Sequence, residues 1–313
     1  MKYYLAPMQS LTGFVFRHAY NKHFHNIDKY FTPFLADRRL NNKDKNEVLP
    51  KHNKGMHVIP QIMANDVEVF LEIVQQLEQY GYKEVNLNLG CPSGTVVPKK
   101  RGAGLLADLD MLDRFLEGIY DKSPLPISIK TRIGMKSPTE WEDIQTIYQK
   151  YPIKELIIHP RLQQDQYKNH PNLKVFEEAL NSLTYPICYN GDLHSAEQLN
   201  HFTGQFPQVE MVMLGRGILK NPGLIGETKG KAPVTKEILL AFHNDVLEGY
   251  KAHIPGDINV LYKMKEWWCY LGESYKGSNS AKKLIKKIMK SKALTEYHAL
   301  ARQIIIEEKF QSR

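Results

Sequence analysis

Eight short apolar segments recur along the first three quarters of the chain, each ending in a polar or glycine-rich tip. They are YYLAPM (3–8), KYFTPFL (29–35), VIPQIM (58–63), EVNLNLG (84–90), ISIKTRIG (127–134), ELIIHPR (155–161), ICYNGD (187–192) and VEMVMLGRG (209–217). Most are separated by helical periodicity. Residues 66–80 place Val69, Phe70, Ile73, Val74 and Leu77 on one stripe, and 108–120 opens on a capping Asp108. Strands that alternate with helices pair in parallel, and eight such units predict a closed (β/α)8 TIM barrel. The second unit is the weakest, because 37–54 is polar and poorly periodic; a loop with at most a short helix is expected there.

A barrel of about 250 residues leaves room for one appendage in a chain of 313. The boundary reads from ETKGKAPVT (227–235), a Gly/Pro/Lys stretch in which Thr235 is placed to cap the next helix. The expected division is a catalytic barrel over 1–230 and a small all-helical domain over 231–313, with helices near 236–252, 257–272, 279–291 and 294–309. Charge is uneven across that division. Residues 231–313 hold 15 Lys/Arg against 9 Asp/Glu and so carry +6 of the formal +8. A polyanionic partner is expected for the appendage, and nucleic acid fits better than membrane because no exposed aromatic anchor is evident.

No apolar run approaches the roughly 20 residues that span a bilayer, and the first strand begins too early to leave room for a secretory signal. A cytoplasmic protein is expected. The three cysteines, Cys91, Cys188 and Cys269, are odd in number and widely spaced, which indicates neither a disulfide framework nor a metal site. Cys188 lies inside an apolar run and reads as a buried structural residue.

In a parallel barrel the C-terminal strand ends carry the active site. Gln61, Asn88, Cys91, Lys130, His159, Asn190 and Gly215 would converge there. Asn190, Gly191 and Asp192 end the seventh segment and Gly215 and Arg216 the eighth, the pair of loops where barrels bind phosphate; a tight turn is the plain alternative for the latter. Lys130 sits in an apolar strand, where a charge needs a partner. That partner is either the pyrimidine edge of a flavin or a carboxylate on a neighbouring strand. His159 would contact the same ring or pack as a core histidine. Cys91, at the tip of VNLNLGCPSG, is the reactive group: a thiol is mostly protonated at neutral pH and suits a general acid.

With those residues in place, the chain resembles the dihydrouridine synthases, FMN-dependent enzymes that reduce uridine in transfer RNA with NADPH. The match runs through LAPMQSLTG, QIMAND, NLNLGCPSGTVVPKKRGAGLL, IKTRIG, IHPR, YNGD, LGRGILKNP and KMKEWWCYLG, essentially the whole chain. The resemblance implies that Pro7 and Met8 line the flavin, that Gln61 and Lys130 hydrogen-bond its ring, and that His159 lies beside it. It implies further that Asn190, Gly191, Asp192, Gly215 and Arg216 hold the ribityl phosphate region and that Asn88 orients flavin or uracil. Hydride would pass to uracil C6 while Cys91 protonates C5.

A base inside a folded RNA must be flipped out to reach a barrel mouth while the backbone is held. Lys282, Lys283, Lys286 and Lys287, in AKKLIKKIMKSKA, would supply phosphate contacts, with Leu284, Ile285, Ile288 and Met289 as the packing stripe. Lys99, Lys100, Arg101 and Arg161 would touch RNA beside the target base. Two positions depart from the family pattern: Ser10 stands where many members have glycine, and the chain reads His159-Pro160-Arg161-Leu162 where they have glycine and Arg-Thr after the histidine. Ribosomal RNA is an alternative substrate, and DNA is not expected. A small-molecule flavin oxidoreductase of the dihydroorotate dehydrogenase type and a non-enzymatic RNA-binding protein compete as readings; the basic tail argues against the first and the flavin constellation against the second. No metal is expected, and a monomer suffices.

Overall fold

The computed structural model describes residues 1–311. Its strands are β1 (Lys2–Leu5), β2 (Lys29–Phe31), β3 (Val58–Ile59), β4 (Gln61–Ile62), β5 (Val85–Leu89), β6 (Ile127–Arg132), β7 (Leu156–His159), β8 (Ile187–Tyr189) and β9 (Met211–Leu214). All observed pairings are parallel, and the sheet order is β3-β2-β1-β9-β8-β7-β6-β5-β4.

The two ends of that order are halves of one segment. Pro60 lacks an N–H and interrupts the ladder between β3 and β4. Its carbonyl still accepts from Asn86 N (2.9 Å), Thr32 N donates to Ile59 O (3.1 Å), and Leu35 N donates to Gln61 O (2.8 Å). The segment 58–62 therefore pairs with neighbours on both sides, which closes a ring of eight chain segments, the TIM-barrel architecture. Tyr4, Ala6, Phe31, Ile59, Ile157, Cys188, Met211 and Met213 form a buried cluster within it. Cys188 is fully buried, in the structural role read for it.

At the N-terminal strand ends the buried carboxylates are matched with cations. Lys29 Nζ lies 3.1 Å from Glu155 and 3.5 Å from Glu84, Lys154 reaches Glu84 (2.5 Å), and Tyr4 OH donates to Glu155 (2.8 Å). Charges buried this deeply are tolerated because they are paired.

The helices start where side chains can cap them. Asp66 accepts from Val69 N ahead of the helix Val67–Gln79, and Asp108 accepts from Met111 N ahead of Leu109–Lys122. In the segment read as loop, Asn42–Val48 forms a short helix capped by Asn41.

Two compact units emerge. One comprises Met1–Pro7, Lys29–Asp192 and Gln208–Met213; the other comprises Met8–Asp28, Leu193–Pro207 and the chain from Leu214 onward. The second unit thus takes in the helix Phe14–Phe24 together with the tail helices Lys236–His253, Asp257–Leu271, Asn279–Lys290 and Leu294–Glu307. Thr235 caps the first of these by accepting from Ile238 N. Phe242 meets Phe16, Phe24 and Trp267 edge to face, with centroids 5.2–5.5 Å apart. No described helix is long and apolar enough to cross a membrane.

At the centre of this unit Trp268 Nε1 donates to Tyr297 OH (2.7 Å), which contacts His243 Nε2 at 2.6 Å. With the imidazole neutral and its Nδ1 facing Asn244 Oδ1 (3.3 Å), the Tyr297 hydroxyl donates a hydrogen bond to Nε2. Burial holds the His243 pKa down to about 4, against an ordinary value of 6.5. The unfolded chain takes up a proton as pH falls through 6.5, whereas the folded chain resists until about 4, so stability is lost across that window. The full loss is on the order of 3 kcal/mol. Urea unfolding between pH 7 and pH 4.5 should show a steeper decline for the native chain than for His243→Gln. Equal slopes would remove His243 from this account.

Candidate active site

β5 and β6 put polar groups on alternate positions of otherwise apolar strands, so the inward faces carry them in rows. The register aligns Gln61 with Asn86, Asn86 with Ser128, Asn88 with Lys130, and Arg132 with His159. A chain of amides follows. Asn88 Nδ2 donates to Gln61 Oε1 (2.7 Å), Gln61 Nε2 to Asn86 Oδ1 (2.8 Å), and Asn86 Nδ2 to Ser128 Oγ (3.0 Å).

That chain orients Asn88, whose Oδ1 accepts from the amides of Gly90 (3.0 Å) and Cys91 (2.9 Å). Cys91 O accepts in turn from Ala103 N (3.1 Å). The Gly102-Ala103-Gly104 run packs directly against this loop. A Cβ at Gly102, where φ is +55°, would lie 2.9 Å from Cys91 Cβ; one at Gly104 would lie 2.4 Å from Val97 O. The glycines of this motif are thus required by the backbone beneath the thiol. Gly104→Ala should cut turnover about tenfold or more and lower the melting temperature as well, since the added Cβ meets backbone; a fully active variant of native stability would show that the loop tolerates displacement.

Arg132, which the sequence reading passed over, is 1% exposed and ties the loops together. It donates to Gly90 O (3.0 Å), Leu162 O (2.8 Å) and Gln166 O (2.9 Å), and its guanidinium lies 5.6 Å from the Tyr167 ring centroid. Gln163 Nε2 adds a bond to Pro92 O (3.2 Å). Arg132, Asn86 and Ser128 were recoverable in principle, since they continue the same two-residue alternation as Asn88 and Lys130.

His159 is buried, and its pKa lies well below the ordinary histidine value through burial and the adjacent charges of Arg132, Lys130 and Arg161. Arg161 Nη1 faces its Nε2 at 3.1 Å; a guanidinium only donates, so Nε2 accepts and the ring proton sits on Nδ1. Arg161 corrects an expectation. It was read as an RNA contact, but it is 1% exposed and grips Asp192 with both terminal nitrogens. Asp192, read as part of a phosphate region, is likewise committed to that arginine. Asn190 donates to Met213 O (2.8 Å), and a Cβ at Gly191 would collide with Tyr189 OH.

Lys99 is exposed, Lys100 pairs with Asp108 (2.8 Å), and Arg101 Nε donates to Asn65 Oδ1 (3.3 Å). Met8, Gly215 and Arg216 belong to the second unit, where Met8 N donates to Thr12 Oγ1 (2.8 Å) and Gly215 precedes the helix Arg216–Lys220. Ser10, in the same unit, adopts φ +71°, the left-handed region that glycine enters without strain. Lys263 Nζ donates to its carbonyl (3.1 Å). The lysines at 282, 283, 286 and 287 are all exposed; Met289 corrects the packing stripe, being 41% exposed. Among the described residues no group of three or more His, Cys, Asp or Glu is placed to hold a metal ion.

Lys130 is half-buried, and its ammonium has no hydrogen-bond or carboxylate partner among the described residues. Desolvation, reinforced by the charge of Arg132, lowers its pKa to about 8 from 10.5. A lysine with a depressed folded pKa costs stability where it is charged in both states, below about 8, and that cost fades as pH rises towards 10.5. Lys130→Met should therefore stabilise the ligand-free protein at pH 7 by on the order of 1 kcal/mol while abolishing turnover. Destabilisation in urea unfolding would show that the ammonium has a structural partner.

A sequence model of the dihydrouridine synthase (Dus) family matches residues 4–297. The chain is 26% identical to a probable tRNA-dihydrouridine synthase of Staphylococcus aureus strain Mu50, covering 95% of this chain and 90% of that one. It is 27% identical to the probable tRNA-dihydrouridine synthase 2 of Bacillus subtilis strain 168, over 95% and 91% of the two chains. Among solved structures it resembles morphinone reductase (TM-score 0.51, 10% identity, covering 77% of this chain and 88% of that one). It also resembles an old yellow enzyme homologue from Zymomonas mobilis (TM-score 0.52, 10% identity, covering 77% and 92%). The structural likenesses establish the barrel, and the match across nearly the whole sequence establishes that the chain belongs to the dihydrouridine synthase family.

Proposed function

We propose that the protein is a tRNA-dihydrouridine synthase that binds FMN at the barrel mouth, uses NADPH as reductant, and reduces the C5–C6 double bond of uridine. Lys130 carries the reading. A half-buried cation with no partner among the described residues, beside a row of oriented amides, fits an electron-rich ring that gains negative charge on reduction. Bound there, FMN would supply hydride chemistry, with NADPH as the source of electrons and uracil C6 as the acceptor.

The chain's own residues supply the rest. Lys130 balances the charge at the pyrimidine edge of the ring. Gln61 and Asn88 already hold one another, so their remaining amide hydrogens face fixed directions. His159 is neutral and carries its proton on Nδ1, so it serves as a hydrogen-bond donor rather than as an acid. The proton for C5 comes from Cys91 Sγ, whose backbone is anchored by Asn88, and the resulting thiolate regains a proton from solvent.

In this reading 1–230 form the catalytic barrel and 231–313 the RNA-binding domain, with the lysines of Asn279–Lys290 and Lys99 on phosphates. The protein works as a cytoplasmic monomer. A nucleoside mass-spectrometric map of tRNA from a strain lacking the gene should show dihydrouridine missing at particular positions, restored by the native chain. Cys91→Ala should restore it at a rate lower by about 100-fold or more. Unchanged tRNA would defeat the proposal, and loss confined to ribosomal RNA would move the substrate there.

A further inference from the structure

The tail helix Asp257–Leu271 exposes a stripe that the packing of its unit leaves open. Ile258 and Tyr262 are 47% and 61% exposed, and Lys265 and Cys269 continue the same face at helical spacing. Tyr262 makes no hydrogen bond or ring contact among the described residues. Lys265 Nζ donates to Ser291 O, which sets the stripe against the C-terminal end of the lysine-rich helix Asn279–Lys290. Lys286, Lys287, Lys290 and Lys292 are exposed there, and none is in an ion pair among the described residues. The neighbouring acids are engaged: Glu266 meets Lys263 (3.3 Å), and Glu296 accepts from Lys292 N (3.2 Å).

An exposed aromatic ring beside unpaired lysines matches a nucleic acid strand better than a protein surface or a second copy of this chain. The cations attract phosphates, whereas like copies would bring two uncompensated lysine clusters together. A base paired inside an A-form helix keeps its face covered, so a ring that stacks on a base requires an unpaired one.

We infer that Tyr262 is a stacking platform for an unpaired base of the RNA substrate, set beside lysines that hold the adjoining backbone. The inference rests on the RNA reading above and adds to it that the appended domain grips a loop or single-stranded segment rather than duplex alone. The contact is sequence-tolerant, because every base offers a π face.

The test is binding of unmodified tRNA transcript to the flavin-loaded full chain by fluorescence anisotropy, across a salt series. Tyr262→Ala should weaken binding by about 5- to 100-fold at fixed salt, while Tyr262→Phe and Tyr262→Trp stay within about threefold of the native chain. The salt slope should be unchanged by Tyr262→Ala and reduced by about 0.7–1 per lysine in Lys286→Ala and Lys290→Ala. Fully paired RNA should compete equally against the native chain and Tyr262→Ala, since it has no base to offer the ring. Native affinity in Tyr262→Ala overturns the inference, as does an equal loss in Tyr262→Phe, which would assign the effect to the hydroxyl. Self-association lost in Tyr262→Ala by sedimentation, with tRNA affinity intact, would overturn it in favour of an interface between copies. Failure of the native chain to bind tRNA would instead defeat the underlying RNA reading. Circular dichroism of each variant separates these outcomes from misfolding.

Discussion

The side-chain amide of Asn88 is the point on which the mouth of this barrel depends. Its oxygen accepts two consecutive backbone amides, those of Gly90 and Cys91, and its nitrogen is held by Gln61. An amide has the acceptor and donor needed to serve a loop and a strand at once, whereas an ionised carboxylate only accepts. The thiol is therefore oriented from below through Asn88, from the side through Gly102 and Gly104, and from across the mouth through Arg132. Each support is a neutral or buried group whose own position is set by strand register, so the reactive loop inherits the stiffness of the sheet.

The two ends of the barrel handle charge differently. At the N-terminal ends Lys29 and Lys154 are matched with Glu84 and Glu155, and the ion pairs serve stability. At the C-terminal ends Lys130, Arg132 and Arg161 gather around a neutral His159, and Asp192 is paired with Arg161. Burial first, and the surplus of positive charge after it, lower the pKa values of both Lys130 and His159.

Much of this was legible in sequence because it obeys local periodicity. The caps Asp108 and Thr235, the four tail helices and the buried place of Cys188 follow from local pattern alone, and each lies where its pattern puts it. The strand segments were equally clear, although the break at Pro60 splits one of them in two. Arg161 was misread because an arginine near a strand end carries no mark of its exposure; only the position of Asp192, 31 residues on, shows that the charge is already paired. Met289 was placed in a packing stripe by hydrophobicity, whereas the helix buries Leu284 and Ile288 and turns the methionine outward.

By itself the sequence determined the parallel barrel and the family and singled out Cys91 and Lys130 as candidates, because alternation of short strands with helices and the Cys91 motif are properties of neighbouring residues. Tertiary structure decided which polar groups are free. The amide row from Asn88 to Ser128, the clamp of Arg132 on three carbonyls and the absence of a partner for Lys130 among the described residues arise from register between strands separated by tens of residues. A hydrogen bond forms only where that register brings two atoms within about 3 Å, and no local pattern encodes that distance.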